Sequence, residues 1–143
     1  MRKKFMGFAL ALGMVLSSGM AFANSGSLYD QLGGKESIRT VMDDFVARVK
    51  ADPRIGDQFQ NTDANRLASQ LTDQVCEATG GPCKYVGLDM KAAHAGMTIT
   101  KAHFNALVEV LVASMNAKGV PFDLQTDILA LLAPMHRDVI TVR

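Results

Sequence analysis

The sequence predicts an all-α domain, on three observations. Apolar residues recur at intervals of three and four along several long segments, which lays them on one stripe of a helix. No segment sustains the apolar–polar alternation of a half-buried strand, and Gly-Gly, Asp-Pro and Gly-Pro steps punctuate the periodic runs. Such helices must bury their stripes against one another around one core.

The chain opens with a segment that is expected to lie outside that core. Arg2, Lys3 and Lys4 precede an apolar run from Phe5 to Met20 and the small-residue sequence Ala21-Phe22-Ala23, the pattern of a secretory signal peptide. The run is broken by Gly7, Gly13, Ser17, Ser18 and Gly19, and a retained anchor needs roughly 20 apolar residues. Residues 1–23 are therefore expected to be removed, leaving one compact domain over 24–143.

Within that domain Gly33-Gly34 starts the first long helix, where Ile38, Val41, Met42, Phe45, Val46 and Val49 share a face. Asp52-Pro53 closes it, because a residue before proline is pushed away from helical angles. Pro53 is expected to open a short helix ending near Phe59. Thr62 or Asp63 can cap the next helix, which carries Leu67, Gln70, Leu71, Gln74 and Val75 on one face and stops at Gly80-Gly81-Pro82. After Thr100 a further helix turns Phe104, Leu107, Val108, Leu111, Val112 and Met115 inward and ends at Lys118-Gly119. Pro121 opens the last helix, with Leu124, Ile128, Leu129, Leu131, Leu132, Met135 and Val139 in pattern and Pro134 as a kink.

The whole chain has 15 Lys and Arg against 14 Asp and Glu, and three of the basic residues lie in the leader. The remaining surface is slightly acidic, which gives no electrostatic footprint for nucleic acid or for anionic lipid. Cys76 and Cys83 are the only cysteines. In an oxidising compartment they are expected to pair across a turn-rich segment, with free buried thiols as the alternative. They do not form the Cys-x-x-Cys-His run of covalent haem attachment. The methionines outside the leader that fall on core stripes, Met42 and Met115, read as gap-filling residues.

A four-helix bundle and a globin both satisfy the periodicity. His94 favours a core opened for a ligand, since it lies on a short segment between Gly87 and Gly96, flanked by Met90 and Ile99. That arrangement can present one imidazole nitrogen to a large flat cofactor over an apolar floor. His103 and His136 read as helix-surface residues. No Ser-His-Asp or Cys-His constellation and no phosphate-cradling glycine loop stands out.

The order of these features resembles the group 1 truncated haemoglobins. The similarity runs from Leu28-Tyr29-Asp30-Gln31-Leu32-Gly33-Gly34 to the last helix, through Gly80-Gly81, His94, Gly96 and the joint Ala117-Lys118-Gly119-Val120-Pro121. It implies a two-over-two sandwich of globin helices that binds b-type haem iron and a diatomic gas such as oxygen, nitric oxide or carbon monoxide. By position, the resemblance makes His94 the proximal iron ligand and Phe59 an aromatic neighbour of the haem. Met90 and Ile99 become proximal-side contacts, Leu67, Leu71 and Val75 the distal wall, and Phe104 and Val108 the other wall. Arg66, Lys84, Tyr85 and Lys91 are candidates for the haem propionates.

The chain departs from the family pattern on the distal side. Val46 stands where well-known members carry a tyrosine, and Leu71 stands where they often carry a glutamine. Gln70 and Gln74 are the remaining amides for the distal pocket, and Gln70 is expected to donate to bound oxygen. The sequence thus reads as an exported, periplasmic globin that binds oxygen reversibly, with nitric oxide dioxygenase or peroxidase chemistry as an enzymatic variant that needs an unknown electron donor. A non-haem, all-α envelope binding protein is the alternative.

Overall fold

The computed structural model describes residues 26–142, so the leader and its cleavage point lie outside the described residues. Helix α1 (Leu28–Gln31) leads into α2 (Gly34–Ala51), a 3₁₀ turn (Gly56–Phe59) and α3 (Ala64–Ala78). A short α4 (Met90–Ala93) precedes α5 (Lys101–Ala117) and α6 (Phe122–Leu132), then a 3₁₀ turn (Ala133–Met135) and α7 (His136–Val139). No strand occurs among the described residues.

The stripe predicted for α2 is the face it buries: Ile38, Val41, Met42, Phe45, Val46 and Val49. It packs most extensively on α3 and crosses α5, where Ala68, Val75, Ala106, Val110 and Met115 complete the core. Val49 and Met115 are only 1% exposed, and burial of side chains of this size contributes about 1.5–3 kcal/mol each.

The ends of the helices follow from local chemistry. Asp63, rather than Thr62, caps α3 by accepting the Arg66 N–H at 2.7 Å. Thr100 caps α5 in a reciprocal box with His103. Helix α3 ends because Gly80 takes φ +90°, which lets the Gly80 and Gly81 N–H groups reach back to the Glu77 and Cys76 carbonyls at 3.2 and 2.8 Å. Gly81 has no room for a side chain: a Cβ there would sit 2.5 Å from the Tyr29 ring and 2.6 Å from Cys76 Sγ. This turn brings Cys83 back to the helix, with its sulfur 2.09 Å from that of Cys76 and the Cα atoms 5.7 Å apart.

Several expectations are corrected. The last helix is not one kinked rod. Helix α6 stops at Leu132, passes through a 3₁₀ turn containing Pro134 and restarts as α7, since proline has no N–H to continue the ladder. Leu131 points outward and is exposed. Pro53 sits in a turn that precedes the 3₁₀ segment instead of opening it. Helix α1 was not expected; Ser27 and Asp30 form its capping box, with N–H to side-chain distances of 3.1 and 3.2 Å.

Two connections place the segment around His94. Helix α4 packs on α7, and Ile99 is pinned to the segment that follows α7 by Thr141, whose Oγ1 accepts the Ile99 N–H at 2.8 Å and whose N–H donates to the Ile99 carbonyl at 2.9 Å.

Candidate functional site

The core built by α2, α3 and α5 does not close. It leaves a cavity of about 740 Å³ between α3, α4, α5 and the C-terminal turns, a size within the about 300–1,000 Å³ usual for cofactor and ligand sites. From α3, Leu67, Gln70, Leu71, Gln74 and Val75 face it, because positions three and four apart share one side of a helix. Phe104, Leu107, Val108 and Leu111 face it from α5. Most of these apolar side chains are only half-buried, since one side of each meets the cavity in place of another residue.

His94 ends α4 and faces this space. Its Nδ1 lies 2.6 Å from the Met90 carbonyl oxygen. A carbonyl only accepts, so Nδ1 carries the proton and donates, which leaves the Nε2 lone pair free to ligate a metal. His103 also lines the cavity, which corrects its reading as a surface residue. Its Nδ1 accepts the Thr100 N–H at 3.3 Å, so the proton of the neutral ring sits on Nε2 and that nitrogen is a donor. His136 is exposed, does not line the cavity and meets Phe104 edge-on at 6.2 Å. The two cavity imidazoles therefore present opposite chemistry, and the His94 ring is the one poised as a metal ligand.

The cavity gathers Phe59, Met90, Ile99, Phe104 and Val108 as well as the α3 residues. Val46 is the exception among the residues expected to form the cavity walls and the distal pocket. It is 2% exposed, sealed in the core, and the α2 side chains that reach the cavity are Met42, Phe45 and Val49. The distal amides differ from each other. Gln74 Nε2 is 3.5 Å from the sulfurs of both Met90 and Met135, whereas the Gln70 amide has no protein partner among the described residues. Arg66 and Tyr85 reach the cavity, while Lys91 does not line it and Lys84 pairs with Glu77 at 3.3 Å.

The sequence reading missed the wall formed by Val86, Gly87 and Leu88, and also Met97, Leu132 and Met135. The wall is irregular chain with no periodicity to find. A carboxylate holds its start: Glu77 accepts the Tyr85 N–H at 2.9 Å. That hydrogen bond, with the Lys84 ammonium second, keeps the Glu77 carboxyl below its ordinary range.

The comparisons with known proteins agree with this geometry. The family profile described as Bacterial-like globin matches residues 27–141. A group 1 truncated hemoglobin, GlbN, of Mycolicibacterium paratuberculosis is 35% identical over 119 residues, covering 83% of this chain and 88% of the relative. The chain belongs to the group 1 truncated haemoglobins. The crystal structure of the truncated hemoglobin of Tetrahymena pyriformis in its Fe(III) form superposes with a TM-score of 0.76 at 30% identity, over 80% of this chain and 98% of that one. A 2/2 hemoglobin of Synechococcus sp., in the cyanomet state and with covalently attached heme, gives 0.76 at 29% identity, over 82% and 100%.

The fold is accordingly the two-over-two globin arrangement, and the protein is a haem-binding globin that takes diatomic gases such as oxygen. The cavity fits that cofactor on this chain's own chemistry. It is lined mainly by aliphatic, aromatic and thioether side chains, holds a directed imidazole lone pair at His94, and has the Arg66 guanidinium at its edge for carboxylates.

Proposed function

We propose that this truncated haemoglobin holds haem iron through His94 Nε2 and receives oxygen on the opposite side of the cavity, reversibly, in an exported setting. The observation that carries the reading is the His94 ring, whose Nδ1 is committed to the Met90 carbonyl at 2.6 Å while the ring faces the cavity. Haem, when bound, supplies the iron that binds the gas; the protein sets access, polarity and the axial ligand.

The residues of the chain divide that work. The Met90 carbonyl fixes the His94 tautomer and the orientation of its ring. Leu67, Leu71 and Val75 keep the far side dry, and Gln70 is the amide free to donate to a polarised gas. Phe59 packs at the edge of the site, where Thr62 is tied to the end of α2 by the Lys50 ammonium on its carbonyl at 2.8 Å. Nitric oxide and carbon monoxide enter the same space, and turnover of nitric oxide or peroxide needs an external electron donor.

An exported setting is supported by the leader pattern of residues 1–23 and by the closed Cys76–Cys83 pair, which persists in oxidising compartments. Secretory expression tests the setting: protein recovered from the periplasm should begin at Asn24, and recovery of the intact leader in the cytoplasm would overturn it. Flash photolysis of reduced, haem-loaded protein tests the gas reading. Oxygen should rebind reversibly over repeated cycles, whereas immediate irreversible oxidation would contradict reversible carriage.

A further inference from the structure

The wall of the cavity before His94 is built differently from its other sides. Residues 82–88 make no backbone–backbone hydrogen bond, although Tyr85, Val86, Gly87 and Leu88 all line the cavity. Val86 is 91% and Leu88 64% exposed, so apolar burial does not hold this segment either. A chain of this kind opens at little cost unless something else ties it down.

Three ties are present. Cys83 is bonded to Cys76, which is wholly buried at the last turn of α3. Glu77, the next residue of α3, accepts the Tyr85 N–H at 2.9 Å and pairs with Lys84. The Tyr85 hydroxyl donates to the Leu88 carbonyl at 2.6 Å, and Asp89 then caps α4 by accepting the Ala92 N–H at 2.7 Å. A continuous path thus runs from a buried sulfur in α3 to the helix that ends in His94.

We propose that Cys76, Cys83 and Glu77 are positioning residues for the haem cavity: they hold the 84–88 wall and the approach to His94 in the ligand-receiving shape, so that opening the Cys76–Cys83 bond speeds haem loss. This rests on the reading of the cavity as the haem site. The bond closes a short loop, and closing it removes freedom that the segment would otherwise regain each time the ligand leaves. Reduction by a dithiol breaks the S–S bond, gives Cys76 and Cys83 one proton and one electron each, and converts the dithiol to its own disulfide. The wall is then left with the Glu77 and Tyr85 hydrogen bonds alone.

The test compares wild type with Cys76→Ser/Cys83→Ser and with Glu77→Gln, each loaded with haemin and mixed with excess apomyoglobin, while haem transfer is followed in the Soret region. The double variant should lose haem about tenfold faster and Glu77→Gln a few-fold faster, with the starting spectrum unchanged because His94 still ligates. Equal transfer rates in all three would overturn the proposal. Hydrogen exchange of apoprotein with and without dithiothreitol provides the second measurement, independent of haem and of variant folding. The hydrogen-bonded amides of this segment, Tyr85, Ala92 and Ala93, should exchange faster on reduction while those of α2 and α5 keep their protection. Unchanged exchange at Tyr85, Ala92 and Ala93, or loss of protection throughout, overturns the proposal. Failure of wild type to take up haemin contradicts the haem reading instead.

Discussion

The Met90 carbonyl oxygen lies 2.6 Å from His94 Nδ1, one helical turn earlier in the same short helix. That contact sets which nitrogen of the ring is free. It also depends on a helix only four residues long, Met90–Ala93, capped by Asp89 and packed on α7. The proposed ligand is therefore oriented by backbone geometry, not by a carboxylate partner. Loss of the Asp89 cap should loosen it. We expect Asp89→Ala to cost about 0.5–2 kcal/mol of apoprotein stability and to shift the iron–histidine stretching band in the resonance Raman spectrum of the ferrous protein; an unchanged band would separate the cap from ligand orientation.

The two distal amides should behave differently. Gln74 is engaged by the sulfurs of Met90 and Met135 at 3.5 Å, while Gln70 is free to meet a polarised gas. A hydrogen bond in a dry pocket is worth about 0.5–1.5 kcal/mol, so Gln70→Leu should speed oxygen release about two- to tenfold. Carbon monoxide, a weaker acceptor, should leave at the wild-type rate. Stopped-flow measurement of both gases checks this, and Gln74→Leu should change oxygen release less than Gln70→Leu does.

Core and cavity positions should separate under denaturation. Met115 is 1% exposed, and Met115→Ala should cost about 2–5 kcal/mol whether or not haemin is present. Leu71 faces the cavity and is half-buried, so Leu71→Ala should cost clearly less than that in the apoprotein and more once haemin fills the space. Urea unfolding of each variant with and without haemin measures the difference; identical costs for Leu71→Ala in the two states would place Leu71 in the closed core.

The Glu77 clamp gives a pH dependence of definite sign. Its carboxyl is held below the ordinary range in the folded state by the Tyr85 N–H and then the Lys84 ammonium. The contribution is therefore present above the unfolded value of about 4.3 and lost as pH falls through the lower folded value. The difference in stability between wild type and Glu77→Gln should stay constant across neutral pH and shrink toward zero below about pH 4. Thermal melts at stepped pH check this, and a difference that grows on acidification would contradict the clamp.

The parts of this fold that were legible in the sequence are those that repeat. The α2 stripe from Ile38 to Val49 and the α3 face from Leu67 to Val75 follow from helical spacing, and the glycine pairs mark where helices stop. His94 was legible from its place between Gly87 and Gly96 together with the family resemblance. The 84–88 wall was not, because its order comes from a sulfur bond, a carboxylate and a tyrosine hydroxyl acting on irregular chain. His103 reads from the sequence as a helix-surface residue, since spacing places the residue on its helix but does not show that its ring lines the cavity. Val46 was placed in the pocket by family position, yet on α2 the cavity side is held by Met42, Phe45 and Val49. The break after Leu132 was read as a kink, which periodicity cannot tell from an interruption.

The most direct measurement is haemin titration of wild type, His94→Ala and His103→Ala, followed by visible absorption of the ferrous carbon monoxide forms. Wild type and His103→Ala should give the same imidazole-ligated Soret band at one haemin per chain, and His94→Ala should lose that band and bind haemin more weakly. An unchanged imidazole-ligated spectrum in His94→Ala, or its loss in His103→Ala alone, would contradict the assignment of His94 as the residue that holds the iron.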